Sequence, residues 1–569
     1  MKVNRYIYLI GAICLAAPFA SQAQDLDPTV VVDRAYEGKL MEVHKPALEM
    51  AVPDTVTRFD LDFDYSVFDS PYKGSYEFNP YLLSMKPSAS SDGSRKFFLR
   101  AGAGYQLHPE LDMVWSPDLK TDDFAMDVFA RHKSFIGNYH NLDGQGNDAV
   151  WSGYDLKSTA GFAGYGDWES GYADFWGSYS NLATKDRMWN RMYNTAEVGL
   201  SIGSKDLATY VDYRVDAKYR HGHDAVRYTE TGPDPLKENA VDLDVSAGFP
   251  VRGSMLFFDV EADFAGYGGE YSATAGQLGI TPHYVYRRSR FMADIGVKFA
   301  KTMGNDGELR SDDAGNVVED PHNQNVYRGV SLEQIVYPDV TVEFGIIREA
   351  LRLRLHAGGG NRLDTWASVL EGNHHVAAYT PDFTIERINV MAALEGSIAS
   401  RFSYSIYGGY ASYANGLLDR IDLTVAGHDR TLFPTMGHAA YSRAFAGLDF
   451  LWKSDALMID GNVEYSDARG DAFDKGFVRP AAVSGDVAVE YNWKRRIIAG
   501  ADCRFASARE SVAYELPAYA DLGLYAEYVF ARGFSLWARG GNLLGMTVQY
   551  NPLYAEKGAY FTLGICLNL

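Results

Sequence analysis

The last ten residues of the chain alternate between two kinds of side chain. Phe561, Leu563 and Ile565 fall on one side, whereas Thr562 and Gly564 fall on the other. Because successive side chains of a β-strand point to opposite faces, this pattern predicts a strand with one apolar and one polar face. A barrel that spans a membrane is built from such strands, since lipid contacts its outside and water its inside.

The same alternation recurs from Arg95 onward. Between Leu207 and Arg220 it continues for longer than most strands of soluble sandwiches do. Counting such segments predicts about 20 to 22 strands. An even number is expected for bacterial barrels of this class. The predicted fold class is all-β, a transmembrane antiparallel β-barrel with a short irregular N-terminal arm. Further alternating segments lie at 241–249, 256–264, 291–299, 351–356 and 521–530.

The N-terminus has the features of a secretory signal peptide. Lys2 and Arg5 precede an apolar stretch, and the small residues Ser21 and Ala23 follow it. We expect cleavage after Ala23, so that residues 1–23 are removed. No later apolar run approaches the roughly 18 residues that a spanning helix needs.

Residues 24–94 are predicted to form an extended arm, because prolines interrupt short aromatic stretches and no regular alternation develops. The arm is too short for a sizeable core of its own. We expect it in the periplasm or in the lumen, where it can meet a periplasmic partner. Residues 95–569 are predicted to be the outer-membrane β-barrel.

The connections between the predicted strands fall into two classes. Met303 to Asn325 and Asn415 to His438 are long and polar, and are predicted to be extracellular loops. Phe249 to Ser254 and Ala531 to Phe534 are short, and are predicted to be periplasmic turns.

Charge and cysteine content exclude some classes of function. The chain carries a formal net charge of -21, and loss of Lys2 and Arg5 makes the mature protein more acidic still. Nucleic acid is therefore excluded as a partner, since phosphate binding needs clustered cations. Cys503 and Cys566 fall on opposite strand phases, which argues against a disulfide between them.

Charged residues on the predicted inner faces are the candidate functional residues. One interpretation is a charged constriction that selects solutes by sign. The other, which the mixture of acids and bases favours, is a salt-bridged lumen wall that maintains the barrel's shape. The candidates are Arg214, Lys218, Arg220, Asp242, Asp244, Asp259, Glu261, Asp263, Arg352 and Arg354.

Metal and catalytic chemistry are weakly indicated. His221 and His223, expected beyond the end of a strand, and His374 and His375, expected in a connection, could bind a divalent metal. Because no Cys or Glu stands at ligand spacing, solvated side chains are favoured. The acidic segment 306–320 lacks the ordered register of a calcium loop, which also favours a solvated loop. Without a Gly-x-Ser-x-Gly elbow or an assembled triad, we predict no enzyme activity, no catalytic residue and no cofactor.

The C-terminal region resembles the final two strands of TonB-dependent receptors. The resemblance lies in 537–544, 550–552 and 557–564, where Asn542-Leu543 corresponds to the Asn-Leu pair that ends the penultimate strand of that family. It implies a membrane barrel that is recognised by the barrel assembly machinery through its last strand. The residues that fit that recognition signal are Thr562, Gly564, Leu567 and Leu569.

Other motifs refine this resemblance. Pro53 to Thr57, Asp69 to Gly74 and Tyr337 to Val340 look like segments of receptor-related barrels from Bacteroidota that lack a plug domain. The short arm at 24–94 fits that plug-less kind. The resemblance covers most of the mature chain, and its motifs are structural signals rather than chemical ones.

The predicted function is passage or binding of a solute across the cell outer membrane. The alternative is a non-transporting structural or assembly barrel that anchors a periplasmic or surface complex. A barrel this wide needs an occupant in its lumen, so the arm or inward-folded loops are expected to occlude it. The predicted partners are outer-membrane lipid, the barrel assembly machinery and a periplasmic partner of the arm.

Overall fold

The part of the chain described by the computed structural model is dominated by one sheet of 22 antiparallel strands. The predicted signal peptide, the arm and the acidic segment 306–320 lie outside the described residues. The structure describes residues 96–569 except 106, 118, 120–122, 143–147, 186–189, 206–210, 226–235, 270–272, 306–335, 348–349, 377–380, 399–400 and 427–428.

Each strand of the sheet pairs with the strand before and after it in sequence. The first strands are β1 (Phe97–Tyr105), β2 (Glu110–Trp115), β3 (Phe124–Leu142), β4 (Asp148–Trp168), β5 (Gly171–Lys185), β6 (Asn190–Ser204), β7 (Asp212–Asp224), β8 (Lys237–Val251), β9 (Ser254–Gly268), β10 (Ala273–Arg288), β11 (Phe291–Asn305) and β12 (Val336–Ile347). The later elements are β13 (Leu351–Asp364), α1 (Trp366–Gly372), β14 (Asp382–Ile398), β15 (Phe402–Ala426), β16 (Asp429–Lys453), β17 (Leu457–Arg469), a 3-10 helix (Asp471–Lys475), β18 (Val483–Trp493), β19 (Ile497–Ala506), the small hairpin β20 (Arg509–Glu510) and β21 (Glu515–Leu516), β22 (Tyr519–Ala531), β23 (Phe534–Gly541) and β24 (Tyr560–Asn568).

The sheet closes on itself through β1 and β24, which pair with Ala101 opposite Ile565. At the chain ends, the backbone N–H groups of Lys96 and Phe97 donate to the carbonyl of Leu569 at 2.7 and 3.0 Å. A closed ring leaves no edge of unpaired backbone groups, as a lipid environment requires. The prediction of a closed antiparallel barrel is therefore confirmed.

Apolar side chains point out of the ring. On β24, Phe561 and Leu563 are 55% and 59% exposed, whereas Thr562 and Cys566 are 0% and 1% exposed. This arrangement confirms the predicted division into an oil-facing and an inner face. Other strongly exposed apolar residues at predicted outward positions are Val241, Phe258, Phe264, Ile295, Phe299, Leu355, Leu524 and Phe530.

Trp537 on β23 packs across the seam where the ring closes. Its indole covers Gly102 of β1 and Gly564 of β24, and its Nε1 donates to the carbonyl of Ile565 at 3.2 Å. A Cβ atom at position 564 would overlap both the indole and the carbonyl of Ala101. Glycine is therefore needed here for close approach between neighbouring strands.

The two ends of the barrel differ in their connections. At the end that holds the chain termini, the tight turns predicted at Phe249 to Ser254 and Ala531 to Phe534 are confirmed, with Gly253 and Gly533 at φ of 84° and 74°. Longer segments follow β13, β17, β19 and β23 at the opposite end. Among the described residues, no helix has both the length and the hydropathy of a membrane span.

The prediction of a loop from Asn415 to His438 is wrong. β15 and β16 continue through this region as one long hairpin, paired out to Ala426 and Asp429 after a register shift that follows Tyr413. Pairing continues because apolar side chains of the hairpin are buried against other segments instead of facing water. These residues are Leu417, Leu418, Ile421, Leu432 and Met436.

Replacing Gly564 with valine should prevent the seam from closing. Overpacking costs about 1–3 kcal/mol where neighbours can relax, and one clashing atom here belongs to the backbone. We expect loss of the heat-dependent mobility shift that a folded barrel shows on an SDS gel. Gly266→Ala is the control, because no heavy atom lies within 4 Å of a Cβ at that position. A Gly564→Val barrel that folds normally contradicts this account of the seam.

Candidate functional site

Several segments from the end opposite the chain termini pack on one another over the lumen. We call them the lid, which comprises 365–376, the hairpin tip 414–426 and 429–439, 470–482, 507–518 and 542–559. Their apolar side chains form shared buried clusters, so different strand connections make one packed layer. One such cluster contains Ile421, Leu432, Val478, Leu516 and Leu553.

Contacts at the two ends of α1 show that this helix lies inside the ring. At its beginning, the backbone N–H of Trp366 donates to Glu238 on β8 at 2.7 Å. Just beyond its last residue, the Asn373 amide donates to Asp419 on β15 at 3.2 Å. Because β8 and β15 are far apart in the strand order of the ring, one short helix can reach both only from within the barrel.

A buried charge network on the wall holds the beginning of α1. The Glu238 carboxylate accepts hydrogen bonds from two backbone N–H groups of the first turn, at 2.7 and 3.3 Å. Arg220 donates to the Thr365 hydroxyl at 3.0 Å and pairs with Glu197 and Glu238. Glu197 and Glu238 are 1% and 0% exposed. Since an unpaired buried charge costs several kcal/mol, each member of the network depends on the others.

A second buried cation, Arg191 on β6, holds the other end of the same segment. Its guanidinium donates to the carbonyl of His374 at 3.2 Å, pairs with Asp224 at 3.7 Å and lies 5.5 Å from the centre of the Trp366 ring. The lid segment 365–376 is thus tied to the wall at both of its ends.

Two adjacent histidines connect this segment to the wall and to another part of the lid. His374 Nε2 lies 3.2 Å from Asp155 Oδ2 on β4, and the His375 ring stacks on Tyr554 with centroids 3.9 Å apart. Burial opposes a charge on His374, yet the Asp155 carboxylate raises the pKa of this imidazole overall. Burial and the neighbouring His374 lower the pKa of His375. A protonated His374 beside a neutral His375 fits these surroundings.

The segment 542–559 is clamped from both sides. The Asn542 backbone N–H donates to Asp521 at 3.0 Å, and its side-chain amide donates to the carbonyl of Lys557 at 3.2 Å. The Tyr550 hydroxyl also donates to Asp521, at 2.6 Å. Arg509 of the small hairpin β20–β21 donates to the Tyr550 carbonyl at 3.2 Å. This segment is therefore a fixed part of the lid.

A cavity of about 380 Å³ lies between the lid and the inner wall. Charged and aromatic side chains line it together, which makes it the candidate functional site. Its wall residues come from β3 to β6 and from β19 to β24, and its roof comes from 365–376 and 542–559. The charged side chains are Lys133, Asp155, Lys157, Glu371, His374, Asp502, Arg504, Asp521, Arg539, Glu556 and Lys557.

Two of the residues predicted from the sequence belong to the buried charge network that holds the beginning of α1. Arg220 contacts Thr365 at the start of the lid segment, and Lys218 lies 3.6 Å from the same Glu197 that pairs with Arg220. The remaining predicted residues form separate groups on the wall and do not line the cavity.

Some of those wall groups pair an acid with a base or a polar partner, and others place two acids opposite each other. Asp259 contacts His283 at 3.0 Å, Glu261 contacts Lys298 at 2.5 Å, and Asp263 accepts a hydrogen bond from Gln277. Arg214 contacts Asp216 at 2.6 Å, and Arg352 pairs with Glu395. In the strand register, Asp242 lies opposite Asp263, Asp244 lies opposite Glu261, and Arg354 lies opposite Glu343.

Two expectations about histidines are wrong. His221 and His223 do not follow a strand, because β7 extends to Asp224. His374 and His375 are not simply solvated, because a carboxylate and an aromatic ring hold them. Among the described residues, no group of three or more His, Cys, Asp or Glu side chains is placed to hold a metal ion.

Sequence reasoning missed Glu197, Glu238 and Asp155, which do the anchoring. Glu197 and Glu238 do stand at alternate-face positions of their strands, so their inward direction was readable from the pattern. The partner of Glu238 in the lid was not, because it belongs to a segment more than a hundred residues away in the chain.

Comparison with known proteins shows the fold. No protein-family model matches the chain, and no curated protein matches it. Solved structures of similar shape include FpvA of P. aeruginosa bound to a pyoverdine–iron complex, with 10% identity, a TM-score of 0.57, and coverage of 84% of this chain and 72% of that one. The copper transporter OprC has 11% identity and a TM-score of 0.56, covering 83% and 82%. The siderophore receptor PirA from Acinetobacter baumannii has 7% identity and a TM-score of 0.57, covering 84% and 80%.

At these identities the likeness concerns the barrel architecture. It confirms the prediction of an outer-membrane type of β-barrel similar to that of TonB-dependent receptors. The ligands named for the matched proteins are ligands of those proteins.

Replacing Glu238 with glutamine should loosen the lid. The substitution keeps the shape of the side chain but removes the charge that faces Arg220 and the first turn of α1. Weakening such buried hydrogen bonds costs about 1–3 kcal/mol, so proteolysis between β13 and β14 should be about tenfold faster or more. Glu261→Gln is the control, since it removes a carboxylate from a wall pair with Lys298. Equal cleavage rates in both variants contradict the anchoring role.

The hold of His374 on Asp155 should weaken as pH rises. Because the pKa of His374 is raised in the folded protein, its contribution is complete below the ordinary imidazole value of about 6.5 and is lost as pH passes through the raised value. Glu556 adds to the stabilisation of the charge, and Lys157 opposes it. Proteolysis of the lid should therefore accelerate as the pH rises above about 6.5. His374→Gln should abolish this pH dependence. If the pH dependence persists in that variant, another titratable group causes it.

Proposed function

We propose that this protein is an outer-membrane barrel that binds a solute in the cavity beneath its lid and passes it across the membrane when the lid is displaced. The observation that carries the proposal is the cavity of about 380 Å³, roofed by the protein's own segments inside a closed ring. Small-molecule sites have volumes of about 300–1,000 Å³. The barrel fold is shared with receptors for siderophores and with a copper transporter.

In this proposal the predicted inner-face charges line the lumen as a salt-bridged wall. Pairs such as Glu261 with Lys298 and Asp259 with His283 place both signs on this wall, even though Asp242 lies opposite Asp263. A ring of one sign would be needed to filter solutes by charge. Selection is therefore assigned to the cavity and to the lid rather than to this wall.

We also infer that the lid supplies the occlusion that a plug domain supplies in related barrels. This fits a place among the plug-less, receptor-related barrels of Bacteroidota. The proposal includes removal of residues 1–23, contact of the arm at 24–94 with a periplasmic partner, and use of β24 by the barrel assembly machinery. It assigns no catalytic role.

One observation favours the alternative of a sealed anchor barrel. The lid is held by buried ion pairs, such as Arg220 with Glu197 and Arg191 with Asp224, and breaking one member of such a pair costs about 3–5 kcal/mol. A lid held this firmly could be permanent. Ion conductance separates the two functions, because only a lid that can move opens a path.

The test measures conductance of the purified protein in planar bilayers. The double variant Glu238→Gln with His374→Gln should conduct at least about tenfold more often than the wild type, since each change removes a lid contact worth about 1 kcal/mol or more. Glu261→Gln should behave like the wild type. Absence of conductance in the loosened variant contradicts solute passage and supports the anchor. If deletion of 24–94 alone opens the pore, the arm and not the lid is the gate.

A further inference from the structure

We propose that the cavity beneath the lid binds an organic anion, with a carboxylate or phosphate carried on a flat apolar body. This inference rests on the proposed function and deepens it by assigning a class of ligand. Its basis is a corner of the cavity where cations and aromatic rings meet, which we call the cationic corner. It consists of Lys133, Phe135, Arg539, Lys557 and Tyr560.

Lys557 is the centre of the cationic corner. Its Nζ lies 4.2 Å from the centre of the Tyr560 ring and 5.5 Å from that of Phe135. Its carbonyl accepts a hydrogen bond from Asn542, which fixes this part of the lid. Aromatic faces hold an ammonium group in place without neutralising it. The charge of Lys557 therefore remains available to the cavity.

Two other cations lie beside the same ring, and a third lies over a neighbouring ring. Lys133 on β3 and Arg539 on β23 line the cavity beside Tyr560, and Arg504 lies 4.4 Å from the centre of the neighbouring Tyr550 ring. Burial lowers the pKa of Lys557, and Glu110 counteracts this effect while Arg539 adds to it. An anion placed between these cations would relieve their mutual repulsion.

Two of the acids near this corner are already bound by protein donors. Asp155 contacts His374 at 3.2 Å, and Asp521 accepts hydrogen bonds from Tyr550 and from the backbone of Asn542. Burial raises the pKa of the Glu556 carboxyl, and the neighbouring His374 counteracts this effect. On β19, Asp502 and Arg504 lie on one face, and Asp486 on β18 lies opposite Arg504 in the strand register. Glu110 lies opposite Lys133 in the strand register, and Glu556 precedes Lys557 in the chain. The three cations of the cationic corner outnumber these two acids, so this side of the cavity is positive.

The aromatic side chains and the volume of the site determine which apolar body the ligand can have. Phe135, Tyr139 and Tyr560 present ring surfaces next to the cations, and flat apolar groups pack well on such surfaces. A volume of about 380 Å³ accommodates a ligand of one or two rings. The polar head would then lie at Lys557 and the body along the aromatic wall.

Calorimetric titration of the full-length protein in detergent tests the inference. The probes are benzoate and phenyl phosphate as anions, benzamide as the neutral analogue and benzylamine as the cation, each with the wild type and with the lid-loosened variant. We expect at least one anion to bind about tenfold or more tightly than benzamide, since a charge-assisted contact is worth that much. Benzylamine should not bind.

Variants of Lys557 locate the site. Lys557→Met should weaken anion binding about tenfold or more, whereas Lys557→Arg should retain it. Lys494→Met is the matched control, because Lys494 also lies over an aromatic ring, 5.3 Å from the centre of Trp493, in a turn at the other end of the barrel. Anion binding should be unchanged in that variant.

Several results would overturn the ligand class. They are equal binding of benzamide and the anions, preference for benzylamine, and unchanged anion binding in a folded Lys557→Met variant. If Lys557→Met does not fold, the probe series on the wild type decides the matter alone. Conductance of the loosened variant is measured in the same preparation. If the loosened variant conducts but does not bind the anions, only the ligand class is overturned. If it neither conducts nor binds any anion, the proposed function is overturned too.

Discussion

Pairing between the first and last strands is the contact on which the rest of the structure depends. Lipid offers no hydrogen bonds to a strand edge, so the sheet is stable in a membrane only when β1 and β24 satisfy each other's backbone groups. Closure also fixes which face of every strand is inside. Trp537 and the glycines beside it let the backbones approach closely enough at this seam for the ring to close.

Inside the ring, charged side chains lose contact with water and need partners. Charged groups that would be solvated on an open surface are enclosed by the wall and the lid, where they are stable only with partners. Glu238 meets Arg220 and the first turn of α1, and Arg191 meets Asp224 and a carbonyl of the lid. The same requirement that makes these groups pair also ties the lid to the wall. Anchoring is thus a consequence of enclosing charge.

The sequence was sufficient for the barrel because alternation is a local property. Phe561, Leu563 and Thr562 show their faces within a few residues, and the ring follows from repeating that pattern. The lid depends on contacts between distant segments. The hairpin tip around Ile421 reads as a polar loop in sequence, and only burial against Leu553 and Leu516 explains why its strands continue. The cavity, which those segments enclose, was equally unreadable.

The stacking of His375 on Tyr554 has a mechanical consequence. It couples two roof segments that follow different strands, β13 and β23, so displacement of one segment pulls on the other. Opening is then expected to be concerted, with a sharp threshold instead of gradual loosening. A molecule lodged under both segments would be well placed to trigger that transition, because pushing on either one strains the joint they share.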